Sequence, residues 1–397
     1  MNYQEHFLNL LDESIEDVRI RFLVGNEDRV VGKKSINQAH KPDVAIRVKK
    51  DNFFSRVLSE GNLGLGEAYM DRSFDVEEGT LQEFLTILLR NRLDKKIRAH
   101  PSIAIRILLL RLRDTFRGKV KNVRRHYDIG DELFESFLDS TLTYSCGYVE
   151  DVQDDIEKLQ VNKHERICQK LQLKKGDHLL DIGCGYGGLL IHAAKHYGIQ
   201  GTGITVSQNH YSRGIANIAR ERLSDQLRID LSDFTGISGR FDKIVSVGMM
   251  EHVPRRQYGL FFQTIARALT TQGMGLIHTV GANAAKNIHD PFIQKYIFPA
   301  SGQPRLSEIV DQLEKKGLAI LDVENMARHY AYTATRWLER FRSTKTALDS
   351  SKYDASFLRM WEYFFCCCIA AATASDSALY QVLFIKDHAA VLPLHRV

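Results

Sequence analysis

The sequence predicts an α/β fold with a doubly wound sheet, and two patterns predict it. The first is a short apolar strand at 179–182 that ends in glycines at 183, 185 and 187 and leads into an apolar-faced helix. That helix pattern stops before Gly198. The second is the alternation of strand and helix patterns that follows. Sheets of this kind bind ligands at the carboxyl ends of their strands.

The elements around the glycine turn can be placed in order. Strand patterns lie at 201–206, 227–230, 241–253, 273–279, 318–323 and 379–385, and helical patterns at 155–173, 209–223, 259–269, 305–316 and 355–371. The last two strands are expected at one edge of the sheet. Residues 141–148 are expected to be loop.

A small α+β domain is predicted over residues 1–90. Helical patterns at 3–11, 51–61 and 81–90 alternate with strand patterns at 18–24 and 44–48. Asp51 is the expected cap of the second helix, and Glu67 and Asp71 have the character of surface or cap residues. A basic connector at 91–125 joins this domain to residues 126–397.

Composition is that of a globular protein, with 44% hydrophobic and 26% charged residues. The N-terminus is acidic and resembles neither a signal nor a transit peptide. The six cysteines have no paired metal spacing, so reduced thiols and no metal are expected. A cytoplasmic location follows as an expectation.

Charge is unevenly distributed along the chain. Residues 90–125 hold 13 lysines and arginines against two aspartates, a local balance of +11 in a chain whose net charge is +5. Isoleucines and leucines lie among these arginines, which is typical of a segment that meets an anionic membrane surface. A solvated linker helix is the alternative. No recognition motif accompanies the block, so nucleic acid is not an expected partner.

The strand after the glycine turn indicates the ligand. A dinucleotide fold would carry an acidic residue there, whereas this strand ends in Thr205, Val206 and Ser207. A nicotinamide cofactor is therefore not expected. The spacing Asp181-x-Gly183-x-Gly185-x-Gly187 instead resembles the first motif of S-adenosylmethionine (SAM) dependent methyltransferases.

Two polar residues lie where a sheet of this class has its site. Glu251 follows the fourth strand and His278 is near the end of the fifth, so both are expected to face the reactive end of the cofactor. A capping glutamate and a histidine hydrogen-bonded at a strand end are the alternative interpretations.

Motifs along nearly the whole chain resemble the cyclopropane-fatty-acyl-phospholipid synthases and the related mycolic acid cyclopropane synthases. They are Gly66-Glu-Ala-Tyr-Met-Asp71, His126-Tyr-Asp-Ile-Gly130, Leu142-Thr-Tyr-Ser-Cys-Gly-Tyr148, Leu180-Asp-Ile-Gly-Cys-Gly185, Gly203-Ile-Thr-Val-Ser207, Gly248-Met-Met-Glu-His-Val253, Lys295-Tyr-Ile-Phe-Pro299 and His329-Tyr-Ala331. The resemblance implies a Rossmann-like SAM-dependent catalytic domain at 126–397. It also implies transfer of the SAM methyl carbon to a cis double bond of a phospholipid acyl chain, forming a cyclopropane ring.

The resemblance also implies the site residues. A bound bicarbonate ion would be the base, held by Cys146, Glu251, His278, Tyr330 and the backbone of Val280. The residues carried over for SAM are Tyr144, Ser145, Asp181, Gly183, Gly185, Gly187, Thr205, Gln208, Leu231 and Ser232. Relatives commonly have an aromatic residue where Leu231 stands and glutamine where His210 stands.

Two features near the C-terminus complete the comparison with that family. Cys368 matches a cysteine long suspected of nucleophilic catalysis, but its apolar helix offers no basic neighbour to form a thiolate, which favours a packing role. Relatives usually read Phe-Arg-Ala-Arg where this chain has Ala372-Thr-Ala-Ser375.

Two other functions remain open at this stage. One is simple C-methylation of an unsaturated acyl chain, which would give a branched product through the same carbocation as ring formation. The other is a lipid-binding module that does not catalyse any reaction. The expected partners are phospholipid acyl chains at an anionic surface, with the protein peripheral to the inner membrane. A homodimer is one option for its assembly.

Membrane binding is expected to depend on the basic segment. Changing Arg106, Arg111, Arg113 and Arg117 to glutamine should weaken sedimentation with anionic vesicles, as should added salt, because each basic group near such a surface contributes about 1 kcal/mol. Binding that ignores both changes would identify the segment as a solvated linker.

Overall fold

The computed structural model describes residues 2–16, 18–33, 43–93, 130–283, 290–299 and 301–387. They belong to two compact units. The first comprises Met1–Leu133, His289–Pro299 and Leu338–Ser375, and the second comprises Phe134–Ile288, Ala300–Trp337 and Asp376–Val397. The expected boundaries differ, because two segments assigned by sequence to the domain at 126–397 pack with the N-terminal residues. The connector at 91–125 lies almost wholly outside the described residues.

The elements up to residue 135 are five helices and four strands among the described residues. They are α1 (Tyr3–Ser14), β1 (Ile20–Val24), β2 (Glu27–Val31), β3 (Val44–Val48), α2 (Phe53–Glu60), α3 (Asn62–Met70), β4 (Phe74–Glu78), α4 (Leu81–Arg90) and α5 (Asp131–Glu135). The strands form one sheet in the order β2, β1, β3, β4. Asn52, rather than Asp51, is the N-cap of α2, and its side chain makes no capping hydrogen bond.

The remaining elements begin with a helix that precedes the glycine turn. They are α6 (Ile156–Lys170), β5 (His178–Ile182), α7 (Gly188–Tyr197), β6 (Gln200–Thr205), α8 (Gln208–Arg220), β7 (Leu227–Leu231), β8 (Phe241–Val247), α9 (Tyr258–Ala268), β9 (Leu269–Ala282), α10 (Pro291–Tyr296), α11 (Leu306–Lys315), β10 (Ala319–Asn325), α12 (Ala327–Thr344), α13 (Ala355–Ala374) and β11 (Ser377–Ile385). Asp155 caps α6 by accepting from the amide of Lys158.

The second unit contains the predicted doubly wound sheet. Its strand order is β10, β11, β9, β8, β5, β6, β7. The strands from β9 to β7 are parallel, and β11 pairs antiparallel with both β9 and β10. Neighbouring residues such as Ile244 and Val245 belong to separate buried clusters. Because the central strands are covered on both faces, their sequences read as continuous apolar runs.

A cluster of phenylalanines forms the core of the first unit. Phe7, Phe22, Phe53, Phe74 and Phe84 are fully buried, and the rings of Phe53 and Phe74 lie 5.3 Å apart. Helix α13 belongs to this unit. By length and composition it is the one helix among the described residues that could cross a membrane, but a buried core helix passes the same test. Many of its residues are buried, which is typical of a core helix.

Glu67 is not the surface residue that the sequence suggested. Its carboxylate accepts hydrogen bonds from Lys295 Nζ at 2.5 Å, from Tyr296 Oη at 2.7 Å and from Arg56. Arg56 also donates to Asp71 at 2.8 Å. Burial raises the pKa of Glu67, but the hydrogen bonds from Lys295, Arg56 and Tyr296 outweigh burial, so the net shift of its pKa is downward.

Replacing Glu67 with glutamine tests this network. A carboxyl group with a lowered folded-state pKa stabilises the fold above its unfolded pKa, and the stabilisation is lost as the pH falls through the folded-state pKa. We expect Glu67→Gln to lower the thermal unfolding temperature at neutral pH, with the difference from the wild type closing below about pH 4. Glu77→Gln is the control, since its ion pair with Arg47 is exposed and should contribute little. A Glu67→Gln effect that does not change with pH would contradict the ionic role.

Candidate active site

The glycine turn after β5 leaves its backbone open to a ligand. Gly183, Gly185 and Gly187 have φ angles of 86°, 52° and 85°. A Cβ built on Gly185 would meet no atom within 4 Å. Gly187 is the N-cap of α7 without a side-chain cap. Asp181 Oδ1, at the end of β5, is buried and has no hydrogen-bond partner among the described residues. The amides of Gly183 and Gly187 already donate to the carbonyls of Ile204 and Cys184. The open space at Gly185 and the buried Asp181 oxygen suit a ligand that carries a cationic group.

The ends of the next two strands lie beside this turn. Thr205 of β6 pairs with Leu231 of β7, and the Ser232 amide donates to the Thr205 carbonyl at 2.9 Å. Gln208 begins α8, and the side chain of Leu231 is 47% exposed. The structure therefore gathers these four predicted residues at one edge of the sheet, where their contact with the cofactor stays a prediction.

A second group forms where β8 and β9 end. Val247 pairs with His278, and the Gly248 amide donates to the His278 carbonyl at 2.8 Å. Glu251 follows in a short 3₁₀ turn, where its carboxylate accepts from Thr279 Oγ1 at 2.7 Å. A Cβ on Gly248 would lie 3.8 Å from Glu251 Oε1 and 3.8 Å from the Ser145 Cβ. Glu251 and Ser145 thus flank one glycine.

Cys146 and Tyr330 pack into a third, smaller cluster with Val280. Met326 and Leu379 complete it. Tyr330 and Tyr144 both contact the ring of Trp337, at centroid distances of 6.1 and 5.3 Å. The residues predicted for the anion pocket and the tyrosine predicted for the cofactor therefore share neighbours within the second unit.

His278 has one ring nitrogen without a partner. Its Nδ1 lies 3.1 Å from Gln381 Nε2, and its buried Nε2 has no hydrogen-bond partner in the part of the chain that the structure describes. Because the Gln381 amide donates to Nδ1, the proton of the neutral ring lies on Nε2. Burial, aided by Lys163, Lys170 and His329, lowers the pKa of His278 well below its usual value. The ring is thus a neutral donor for an acceptor atom placed there.

Burial also raises the pKa of two neighbouring acidic groups, the Cys146 thiol and the Glu251 carboxyl. It raises the pKa of the Cys146 thiol to about 12 and raises the pKa of Glu251. The Cys146 thiol donates to the Gly147 carbonyl at 3.1 Å, so it is not a thiolate nucleophile. Glu251 can accept and release a proton nearer to neutral pH than an exposed glutamate.

Cys368 belongs to a different unit of the chain from the residues predicted for the anion pocket. It lies in α13, which belongs to the first unit, whereas Cys146, Glu251, His278, Val280 and Tyr330 belong to the second. Its neighbours Cys366 and Cys367 have pKa values raised by burial. A catalytic role for Cys368 stays a prediction, and its buried position agrees with the packing role that its apolar helix favours.

Sequence reasoning missed residues that hold the site residues in place. Trp337 contacts two predicted site tyrosines, Gln381 fixes the tautomer of His278, and Thr279 binds Glu251. Thr279 could have been found from its place beside His278. Trp337 could have been found as well, because it follows Tyr330 by two turns of the same helix. Gln381 could not, because it lies 103 residues after His278 in the sequence.

Comparisons with known proteins identify the family. The profile described as mycolic acid cyclopropane synthetase matches residues 115–382. The cyclopropane-fatty-acyl-phospholipid synthase of Escherichia coli is 37% identical over 85% of this chain and 87% of its own length. The chain belongs to the mycolic acid cyclopropane synthetase family. The tuberculostearic acid methyltransferase of Mycobacterium tuberculosis is 29% identical over 88% of this chain and 82% of its own.

A solved structure of the family supports the cofactor. A mycolic acid cyclopropane synthase complexed with SAH and CTAB superposes with a TM-score of 0.61 at 26% identity, covering 66% of this chain and 96% of the other. The predicted membership of the cyclopropane synthase family and the α/β methyltransferase fold are thereby confirmed. The protein is a SAM-dependent methyltransferase of lipid biosynthesis. Its glycine turn and the buried Asp181 oxygen fit SAM.

Valine at Gly185 is expected to bring SAM binding below detection in calorimetry, because the side chain would fill the open space beside the turn. Gly317→Val is the matched control. Gly317 also has a positive φ and an open Cβ position, so the substitution carries a similar strain away from the turn. Unchanged SAM affinity in Gly185→Val would contradict this placement of the cofactor.

Proposed function

We propose that the protein transfers the methyl carbon of SAM as a methylene group to a cis double bond of a phospholipid acyl chain, forming a cyclopropane ring. The relative from Escherichia coli bears that activity in its name. The observation that carries the proposal is the buried pocket of neutral groups around His278 Nε2, a hydrogen-bond donor with no partner among the described residues.

The reaction makes two demands on the protein. The π electrons of the alkene form a bond to the methyl carbon as the bond from sulfur breaks, which leaves SAH and a carbocation. A proton must then leave the new methyl group so that its C–H electrons close the ring. Water would capture the cation, so the pocket must exclude it and still provide a base.

Buried, neutral side chains meet the demand that water be excluded. Cys146 and His278 are each 1% exposed, and Val280 and Tyr330 pack against the same apolar cluster. The thiol stays protonated and the imidazole stays uncharged, so neither attacks the cation as a charged nucleophile. The aromatic rings of Tyr144, Trp337 and Tyr330 line up in contact, and such ring faces attract a positive charge.

A bound bicarbonate ion is the base in this proposal. His278 Nε2 would donate to one of its oxygens, with Tyr330 as a second donor, and the ion would supply an acceptor for the departing proton. Glu251, which like Ser145 lies beside Gly248, would orient the ion by accepting a hydrogen bond from its hydroxyl group. The raised pKa of Glu251 makes its carboxylate a stronger acceptor than an exposed one.

The substrate determines where the protein must act. An acyl chain esterified in a phospholipid lies in a bilayer, so we propose a peripheral enzyme at the inner membrane surface, in the cytoplasm. The basic segment at 90–125 supports this through its +11 balance.

C-methylation is the second candidate, favoured by the likeness to the tuberculostearic acid methyltransferase. It passes through the same cation, and the proton then leaves from the chain rather than from the new methyl group. Placement of the base relative to the cation decides between the two products.

Glutamine at Glu251 is expected to lower turnover by about two orders of magnitude or more while leaving SAM affinity unchanged, because the amide lacks the negative charge and one of the two acceptor oxygens that would orient the ion. Activity would be followed by methyl transfer to vesicles of unsaturated phospholipid. Glu314→Gln, at an exposed position on α11, is the control and should match the wild type.

Removing dissolved carbonate should also slow the wild type, and added bicarbonate should restore its rate. Glu251→Gln should respond less to bicarbonate than the wild type does. A fully active Glu251→Gln together with a wild type indifferent to bicarbonate would contradict the mechanism.

A further inference from the structure

Lys163, on α6, is a buried cation that the chemistry above does not use. Its side chain is 1% exposed. Its Nζ donates to Ser145 Oγ at 3.0 Å, the one hydrogen bond that it makes among the described residues. An ammonium group has three donors, and burying it is costly unless its charge is compensated. A buried lysine with two unused donors beside a cofactor site therefore requires an explanation.

Carboxyl groups provide the compensation. Asp139 accepts hydrogen bonds from the backbone amides of Thr141 and Thr143, at 2.9 and 2.8 Å. Asp181 is the other, with Oδ1 buried and partnerless. Burial lowers the pKa of Lys163 to about 8, while Asp139, Cys146 and Asp181 oppose that shift. Burial raises the pKa of Asp181 to about 7, and the charge of Lys163 opposes this rise.

Lys163 is not needed to hold the neighbouring loop. Gln160 Nε2 donates to the Ser145 carbonyl at 2.7 Å, and the Leu159 carbonyl accepts from the Tyr148 amide at 2.9 Å. The Gly147 amide donates to Thr333 Oγ1 at 3.0 Å. These bonds fix the backbone of the loop without Lys163. What Lys163 adds is an orientation for the Ser145 hydroxyl and a positive charge.

We propose that Lys163 is a positioning residue for the cofactor: it fixes the Ser145 hydroxyl and supplies the counter-charge that lets Asp181 receive the ammonium group of SAM as a carboxylate. The two residues that it acts on come from the loop before α6 and from β5. The inference concerns cofactor binding, and it does not depend on which lipid product forms.

The test is calorimetry with SAH, the demethylated form of SAM, on the full chain. Lys163→Met should lower SAH affinity about tenfold near pH 7, the size expected when a charge-assisted interaction is lost. Because the substitution removes one member of a compensated buried charge group, it should also lower the thermal unfolding temperature, so SAH affinity is measured at a temperature where both proteins are folded.

The pH profile separates this role from a structural one. Without Lys163 the pKa of Asp181 should rise further, so the affinity of Lys163→Met should continue to increase at pH values where wild-type affinity has levelled. The other titratable groups that interact electrostatically with Lys163 are Asp139, Cys146, His164, His192 and His278. The pKa values of the histidines are lowered by burial, so they stay neutral across this range.

Two further variants complete the experiment. Lys163→Arg keeps the charge and should retain the wild-type pH profile. Lys158→Met, at an exposed position on the same helix, should leave SAH affinity and its pH profile unchanged. Equal SAH affinity of Lys163→Met and wild type at every pH would overturn the proposal. So would a Lys163→Arg profile shifted as far as that of Lys163→Met.

Discussion

Parallel pairing between β8 and β9 is the constraint on which the site depends. It sets Val247 opposite His278 and brings the Gly248 amide to the His278 carbonyl at 2.8 Å. A one-residue change of register would turn His278 to the other face of the sheet. Glu251, bound to Thr279, would then lose its place beside the histidine. The chemistry of the pocket therefore rests on a backbone ladder in the middle of a sheet buried on both faces.

Burial is what gives this pocket its chemical character. It keeps the Cys146 thiol protonated and the His278 ring neutral, and it makes the Glu251 carboxylate more basic. Leaving His278 Nε2 and Asp181 Oδ1 without partners costs about 1–3 kcal/mol each. That cost is recovered when a ligand satisfies both atoms. In the proposed mechanism the same exclusion of water would protect the carbocation.

Much of the second unit could be predicted from sequence, because its strands and helices carry strong local patterns. The glycine turn, the edge strands and the loop at 141–148 all lie where the sequence predicts them. The first unit was harder. Strand β2 reads Glu-Asp-Arg-Val-Val, and four of its five side chains are exposed, so it offers no apolar alternation. Strand β4 is similarly acidic.

Long-range partners were beyond sequence reasoning. Glu67 looked like a surface residue because its partners Lys295 and Tyr296 are more than 200 positions away. The return of 338–375 to the first unit was missed for the same reason, and Cys368 with it. The strand patterns did predict that Glu251 and His278 lie at the ends of neighbouring strands, whereas Cys146, Val280 and Tyr330 were assigned to the same pocket by the resemblance to the family. Residue type and spacing could not show Lys163 beside Ser145, because a lysine in a helix usually lies at the surface.

The central claim is that a proton leaves the new methyl group and closes a ring. Its most direct test is to supply SAM with a trideuterated methyl group to the purified enzyme and vesicles of cis-unsaturated phospholipid, and to analyse the acyl chains by mass spectrometry. The account predicts a product that retains two of the three deuterium atoms and has lost its double bond. A product that retains all three deuterium atoms, with a double bond still present, would contradict it and identify a C-methyltransferase.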